Sequence, residues 1–243
     1  MCSVLWAYST MQTRVWRIIY TCVSHTRDAP AEENGSTWIR QTFRQSLKGQ
    51  RMKTTLDRIE RTITLTGFAP LMFDRFAGDI KTQLPAEAKM YFLPDGKTIC
   101  LPSVNIMSFL SAKNTTSVAK MIGGKSWSRI CDSTLSYVTI QPMLIPILRD
   151  GKPIVFTGFE DGEDKEAKIY VHKSVARLAK GVPNPKERPT LELPWSITFQ
   201  LILYKNDDID ELYLQTAFTK GGVALGLGTF RGVFGKFLVE EWK

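Results

Sequence analysis

Residues 195–204, WSITFQLILY, constrain the fold more than any other segment. Side chains alternate across a strand. Trp195, Ile197, Phe199, Leu201 and Leu203 therefore share one face, with Ser196, Thr198 and Gln200 on the other. Five large apolar side chains on one face have to be covered. The segment reads as a central strand with helices packed against that face. Asn206-Asp207-Asp208 comes next as a helix start, its acids complementing the helix dipole. Ile209, Leu212, Tyr213 and Ala217 continue at helical spacing, Gly221-Gly222 reads as the stop, and residues 236–242 as a last strand.

The same signals recur upstream. Residues 61–67, RTITLTG, set Ile63 and Leu65 against three threonines, a half-buried strand. Residues 71–76 read as a compact apolar turn or short helix. Residues 90–93 and 97–101 flank Pro94-Asp95-Gly96, whose residue types suit a hairpin turn. A helix comes after them, with Ser103 as its cap and Ile106, Phe109 and Leu110 as its apolar stripe. Residues 114–121 continue helically until Gly123-Gly124. Residues 137–140 and 144–148 read as strands split by Pro142, and Pro146 marks the second as an edge. Residues 149–152 form a turn into a strand at 154–157. Residues 159–166 form an acidic loop, 168–173 alternate as a strand, and 174–188 read as basic and irregular. These elements make an α+β domain.

The 243-residue chain carries a formal net charge of +8, which permits a polyanionic partner without identifying one. Residues 1–51 hold seven of the 32 Lys and Arg residues and three of the 24 acids, and look foreign to the rest of the chain. They read either as a translated leader before a start at Met52 or as a basic amphipathic arm. The core domain is 52–243. Cys2, Cys22, Cys100 and Cys131 lack metal-ligand spacing and read as reduced thiols of a cytoplasmic protein. No apolar run is long enough for a membrane-spanning helix, and the N-terminus lacks the layout of a signal peptide.

Two segments are candidates for a binding site. Residues 221–237, GGVALGLGTFRGVFGKF, contain six glycines with Arg231 and Lys236 among them and Lys220 just before. Glycine admits a partner close to the backbone, successive amides can line an anion site, and Arg231 can grip a phosphate bidentately. The glycines serve equally well as a cap, a turn and a bulge, and both readings stay open. The GxxxxGK[ST] phosphate loop is absent, and a glycine run between a helix and a strand is no dinucleotide fingerprint. The second candidate is Lys168, His172, Lys173, Arg177, Lys180, Lys186 and Arg188, with Tyr170 interleaved. It reads either as a track for a phosphate backbone or as a solvated loop offsetting the acids of 160–166. Catalysis has little support. His172 has no nucleophile beside it, and no GxSxG signature exists.

The order strand, helix, strand, late helix, then Gly226-Leu227-Gly228 with Arg231-Gly232 and Gly235-Lys236-Phe237 before a final strand resembles the RAMP superfamily. Residues 66–73, TGFAPLMF, and the stretch from Arg188-Pro189 to Trp195 are similar to phage and prophage proteins associated with that fold. The resemblance implies a ferredoxin-like (RRM-like) antiparallel sheet with helices on one face and inserted hairpins. It implies a non-catalytic protein of phage or prophage origin that binds single-stranded RNA or DNA, in the cytoplasm of a bacterial host. The implied contacts are Lys220, Gly226, Gly228, Arg231, Gly232, Gly235 and Lys236 in the loop and His172, Lys173, Arg177 and Lys180 in the basic segment. Homo-oligomers along the nucleic acid are implied, with no metal or other cofactor. Two alternatives stand beside it: a phage assembly protein using the glycine loop as a protein interface, and a metal-dependent ribonuclease using Asp74.

Overall fold

The computed structural model describes residues 57–78, 82, 84–177 and 183–243. The predicted leader or arm at 1–51 and Lys180 lie outside these residues. The chain divides into units 1–55 and 56–243, and every described residue belongs to the second.

The main sheet is built from the alternating segments. Its strands are β1 (Arg58–Gly67), β3 (Cys100–Pro102), β4 (Val138–Gln141), β5 (Leu144–Arg149), β6 (Lys152–Pro153), β10 (Ser196–Tyr204) and β11 (Phe237–Trp242). The order is β11-β1-β10-β5-β3, with β4 also paired to β10 and β6 to β5. The β1–β10, β1–β11 and β10–β4 pairs are all antiparallel. Ile63 and Leu65 of β1 and Ile197, Phe199, Leu201 and Leu203 of β10 are buried, as the alternation predicts. The opposite face carries Thr62, Thr64, Thr66, Thr198 and Gln200, partly or fully exposed. Thr62, Thr198, Phe199 and Gln200 of these strands, with Gln141, Pro142 and Met143, line a shallow depression of about 580 Å³.

Helices α1 (Ser103–Ser111), α2 (Val118–Ile122), α3 (Trp127–Tyr137) and α4 (Glu211–Ala224) supply the cover. Phe109 of α1 and Phe218 of α4 lie 5.8 Å apart between ring centroids, and Phe218 meets Phe199 at 5.9 Å. A smaller sheet has the order β2-β9-β8-β7, formed by β2 (Leu71–Met72), β7 (Glu163–Asp164), β8 (Ile169–Arg177) and β9 (Pro183–Leu191). No helix of the described residues is long and apolar enough to cross a membrane.

Several elements differ from the sequence expectation, each for a tertiary reason. Leu71 and Met72 form a strand, because Leu191 and Thr190 of distant β9 supply its ladder. Ser103 is the first helical residue rather than the cap. Extended Pro102 precedes it, and the Ser103 N–H is satisfied by the Met143 carbonyl at 2.8 Å. The helix read over 114–121 is only Val118–Ile122. Helix α3 packs Trp127, Ile130 and Cys131 on the core and also buries Ser133 and Thr134. Tyr137 ends that helix rather than opening β4. Strand β5 is interior, with β10 beyond it on one side and β3 on the other. The β10 pairing uses only Ile147 and Leu148, so Pro146 costs that ladder no donor.

Of the segment read as irregular over 174–188, the described residues, 174–177 and 183–188, are strand. Strand β8 continues to Arg177, and β9 pairs with it from Arg177↔Pro183 to Ile169↔Leu191. The prolines explain why this is compatible with a strand. Pro183, Pro185 and Pro189 occupy alternate positions, and the Pro189 carbonyl accepts from Phe73 N–H on the β2 side. Residues at those positions direct their backbone polar groups away from β8, so no β8–β9 hydrogen bond is lost.

At α4, Asn206 makes a turn rather than a cap, its side-chain oxygen accepting from Asp208 and Ile209 N–H at 3.0 and 2.9 Å. The cap is Asp210, which accepts from Tyr213 N–H at 2.7 Å. Gly221 and Gly222 do not stop the helix, which runs to Ala224. A Cβ on Gly221 would stand 2.4 Å from Val118 Cγ2, and one on Gly222 2.5 Å from the Phe237 carbonyl oxygen. Their role is to let α4 approach α2 and β11 closely, which outweighs the cost of about 0.5–1 kcal/mol of a mid-helix glycine.

Candidate nucleic-acid interface

The glycine loop, residues 225–236, joins α4 to β11 by folding back on itself. Gly226, Gly228 and Gly235 have φ of +79, +75 and +69°, a region that favours glycine. Space forbids a side chain at each. A Cβ on Gly226 would meet the Gly235 carbonyl at 2.6 Å, one on Gly228 the Met72 oxygen at 2.5 Å, and one on Gly235 the Leu227 oxygen at 2.0 Å. The loop amides are largely occupied by the chain itself. Leu227 N–H donates to Gly235 O at 2.9 Å, Thr229 to Met72 O at 3.0 Å, Gly232 to Leu225 O at 2.6 Å and Gly235 to Pro70 O at 2.7 Å. Gly228 N–H donates to Asn105 Oδ1 at 2.9 Å.

Arg231 turns inward from this frame. Its guanidinium donates to the Ser108 and Thr116 carbonyls at 3.4 and 3.1 Å and to Ser108 Oγ at 3.1 Å. Ser108 lies in the last turn of α1, where the negative end of the helix dipole attracts a cation. Burial lowers the Arg231 pKa from its ordinary value.

What the loop presents outward is its tip. Phe230 is 56% and Val233 58% exposed, and Gly232 has open space where a Cβ would stand. The Phe230 and Phe234 centroids are 5.8 Å apart, and Phe234 meets the His172 ring edge-on at 5.5 Å. The two segments singled out in the sequence thus touch, through a loop aromatic and a strand histidine. His172 in turn meets Tyr170 at 6.5 Å. Strand alternation puts Tyr170, His172 and Ser174 on one face, and the register places Thr190, Arg188 and Lys186 opposite them on that face.

The other candidates are dispersed. Arg188 donates through Nε to Asp74 Oδ2 at 2.8 Å and through Nη1 to Ser174 Oγ at 3.1 Å. The carboxylate considered for metal-dependent cleavage therefore sits in a mostly buried ion pair. Among the described residues no three His, Cys, Asp or Glu side chains form a group that could hold a metal ion. Lys173 projects to the opposite face, 3.7 Å from Glu187 in an exposed pair. Lys220 is exposed near the end of α4. Lys236 is partly exposed, and its carbonyl accepts from Phe68 N–H at 2.9 Å. Arg177 ends β8, and its side chain lies outside the described set. Phe230 and Phe234 are the residues that a charge-and-glycine reading underweights. Their sequence signal is two aromatics four residues apart in a glycine loop.

The acidic loop beside β8 is held from within. Burial raises the Asp164 pKa, but hydrogen bonds from Ala167 N–H at 3.0 Å and from Thr157 N–H and hydroxyl at 2.7 and 2.9 Å outweigh it and lower the value. Arg149 donates to the Ala167, Glu192 and Pro194 carbonyls at 2.7, 3.1 and 3.0 Å, joining β5 to the segment leading into β10. Both described cysteines are buried, and burial pushes the Cys100 thiol up to about 11, so it is protonated and inert at neutral pH.

No protein-family model matches the chain, and no curated protein matches it. Among solved structures, the chain is similar to one chain of a type III-B Cmr-beta complex bound to cognate target RNA, determined by cryo-electron microscopy. The identity is 12% and the TM-score 0.47, over 93% of this chain and 73% of that one. A likeness that weak assigns neither a family nor a partner to this chain.

Proposed function

We propose that the domain binds single-stranded nucleic acid, RNA or DNA, where the glycine-loop tip meets the β8–β9 hairpin, and performs no chemistry on it. The observation that carries this reading is the Phe234–His172 contact at 5.5 Å. It joins the exposed Phe230 and the half-buried Phe234, His172 and Tyr170 into one row of rings, with Lys186 on the same strand face, from two segments distant in sequence. A cationic groove with interleaved aromatic rings is the general arrangement for sequence-tolerant binding of single strands. Lys186 on the ring-bearing face and Lys236 in the loop are the proposed backbone contacts; Lys173 and Arg177 add positive charge to the same hairpin. The loop glycines and Arg231 shape the tip and hold it to α1.

The strand order β11-β1-β10-β4, fully antiparallel, supports the ferredoxin-like reading. In that reading α1–α3 connect β1 to β4, α4 connects β10 to β11, and the smaller sheet is largely an insertion between the two central hairpin strands. Membership of the RAMP superfamily, homo-oligomers along the nucleic acid and a phage or prophage setting in a bacterial cytoplasm belong to the same proposal.

Fluorescence anisotropy with RNA and DNA oligomers at two salt concentrations tests it. The affinity is expected to fall steeply as salt rises, because each neutralised phosphate releases counterion. RNA incubated with the protein and Mg²⁺ or Mn²⁺ is expected to stay intact. Absence of salt-dependent affinity for either polymer overturns the reading. Metal-dependent cleavage lost in Asp74→Ala would replace it with the ribonuclease alternative.

A further inference from the structure

We infer that the ring row Tyr170, His172, Phe234 and Phe230 is a stacking platform for unpaired bases, which makes the site selective for single strands over duplex; this rests on the nucleic-acid reading above. Successive centroids in the row are 6.5, 5.5 and 5.8 Å apart. Its two halves come from different elements. The alternation of β8 supplies Tyr170 and His172, and the loop supplies Phe234 and Phe230. The row ends in solvent at Phe230.

Phe230 is the informative member. Its φ is +53°, a conformation that is an outlier for a bulky residue, and its side chain is 56% exposed. The chain thus holds a large aromatic outward in an unfavourable backbone conformation and gains little burial by it. Strain of that kind, kept on an exposed residue beside a ring row, points to a ligand for the ring. The chemistry of that ligand is set by the neighbours. Lys186 shares the ring-bearing face of the hairpin, where Arg188 is held by Asp74. A planar ring beside a cation suits a planar group attached to an anionic chain, which describes a nucleotide. In a duplex the faces of the bases are covered by their neighbours, so only an unpaired strand can offer them.

The test uses the full chain and three labelled probes: oligo(dT), an abasic DNA strand of equal length, and a duplex. Oligo(dT) is expected to bind about tenfold more tightly than the abasic strand, the contribution of one well-stacked base. It is also expected to bind more tightly than the duplex. Phe230→Ala is expected to remove most of the oligo(dT)-to-abasic ratio while leaving the abasic affinity and the salt slope unchanged. Phe230→Leu, which keeps apolar bulk without a π face, is expected to behave like the alanine variant. Circular dichroism melting of both variants controls for loss of the fold, and Phe230→Leu carries the test if the alanine variant is unfolded. Equal affinity for oligo(dT) and the abasic strand overturns the platform and leaves salt-dependent backbone binding standing. A Phe230→Leu chain that keeps the full ratio also overturns it. If no probe binds with salt-dependent affinity, the nucleic-acid reading falls first and the platform with it.

Discussion

The glycine loop and the β8–β9 hairpin meet at one surface but are built on opposite plans. The loop attracts attention by composition, yet most of what is unusual in it is turned inward. Three of its glycines make room for carbonyls of the chain itself, its amides are bonded internally, and its arginine grips the end of α1. The hairpin looks unpromising, with three prolines and a scatter of charge. It nevertheless pairs along nine register positions and distributes its side chains between two faces in a regular alternation. An uncommon residue pattern therefore marks where the backbone is constrained, which is not always where a ligand is met. Arg231 and Lys186 illustrate the difference. One is a cation used for structure, and the other is a half-exposed cation on a strand face.

The largest test of this contrast lies within the loop. Gly235→Ala places a Cβ 2.0 Å from a carbonyl oxygen at a positive φ, and a loss of more than about 3 kcal/mol in chemical denaturation is expected. Gly232→Ala, also at positive φ but with open space, is expected to cost only the backbone strain, about 1 kcal/mol. Equal costs would break the view that the two glycines do different jobs.

Arg231→Ala is next. It strips hydrogen bonds from the Ser108 and Thr116 carbonyls and is expected to lower stability by about 2 kcal/mol while leaving the salt slope of oligonucleotide binding intact. A stable variant with a slope reduced by about 0.7 would return Arg231 to the role of phosphate ligand.

On the hairpin side, Asp164 gives a pH signature. Its folded-state pKa is lowered, so its contribution is fully present above the ordinary carboxylate range and is lost as pH falls through the lowered value. Thermal melts of the wild type are expected to lose stability at acid pH more steeply than those of Asp164→Asn. The variant itself is expected to cost about 1–3 kcal/mol at neutral pH, because N–H donors of Thr157 and Ala167 lose an acceptor. Parallel pH curves would show that the loop is not held by this carboxylate.

The smallest effect on stability is expected from Lys186→Ala, within about 0.5 kcal/mol of wild type. In anisotropy titrations the same variant is expected to reduce the salt slope by about 0.7, the value for one contact to a single strand. Gly235→Ala and Lys186→Ala thus sit at opposite ends of the comparison, one nearly all fold and the other nearly all binding.

Much of the frame is legible in the sequence. The alternation of β1 and β10 identifies which side chains are buried, because a period of two is a local property of an extended chain. The Pro94-Asp95-Gly96 turn is legible for the same reason: Asp95 Oδ1 accepts from Lys97 and Thr98 N–H, both at 2.9 Å. The late helix, the last strand and the glycine loop between them also carry local signals. Tertiary structure decides what such signals cannot encode. Gly221 and Gly222 read as a stop because glycine weakens an isolated helix, but Val118, Phe109 and Phe237 press on α4 closely enough to require them. Three prolines argue against a strand until the side of the ladder they face is known. Arg231 looks free until Ser108 and Thr116 are brought to it. The His172–Phe234 contact joins two segments with no common sequence signature. Such outcomes depend on which surfaces meet, and a chain read locally carries its periodicities but not its neighbours.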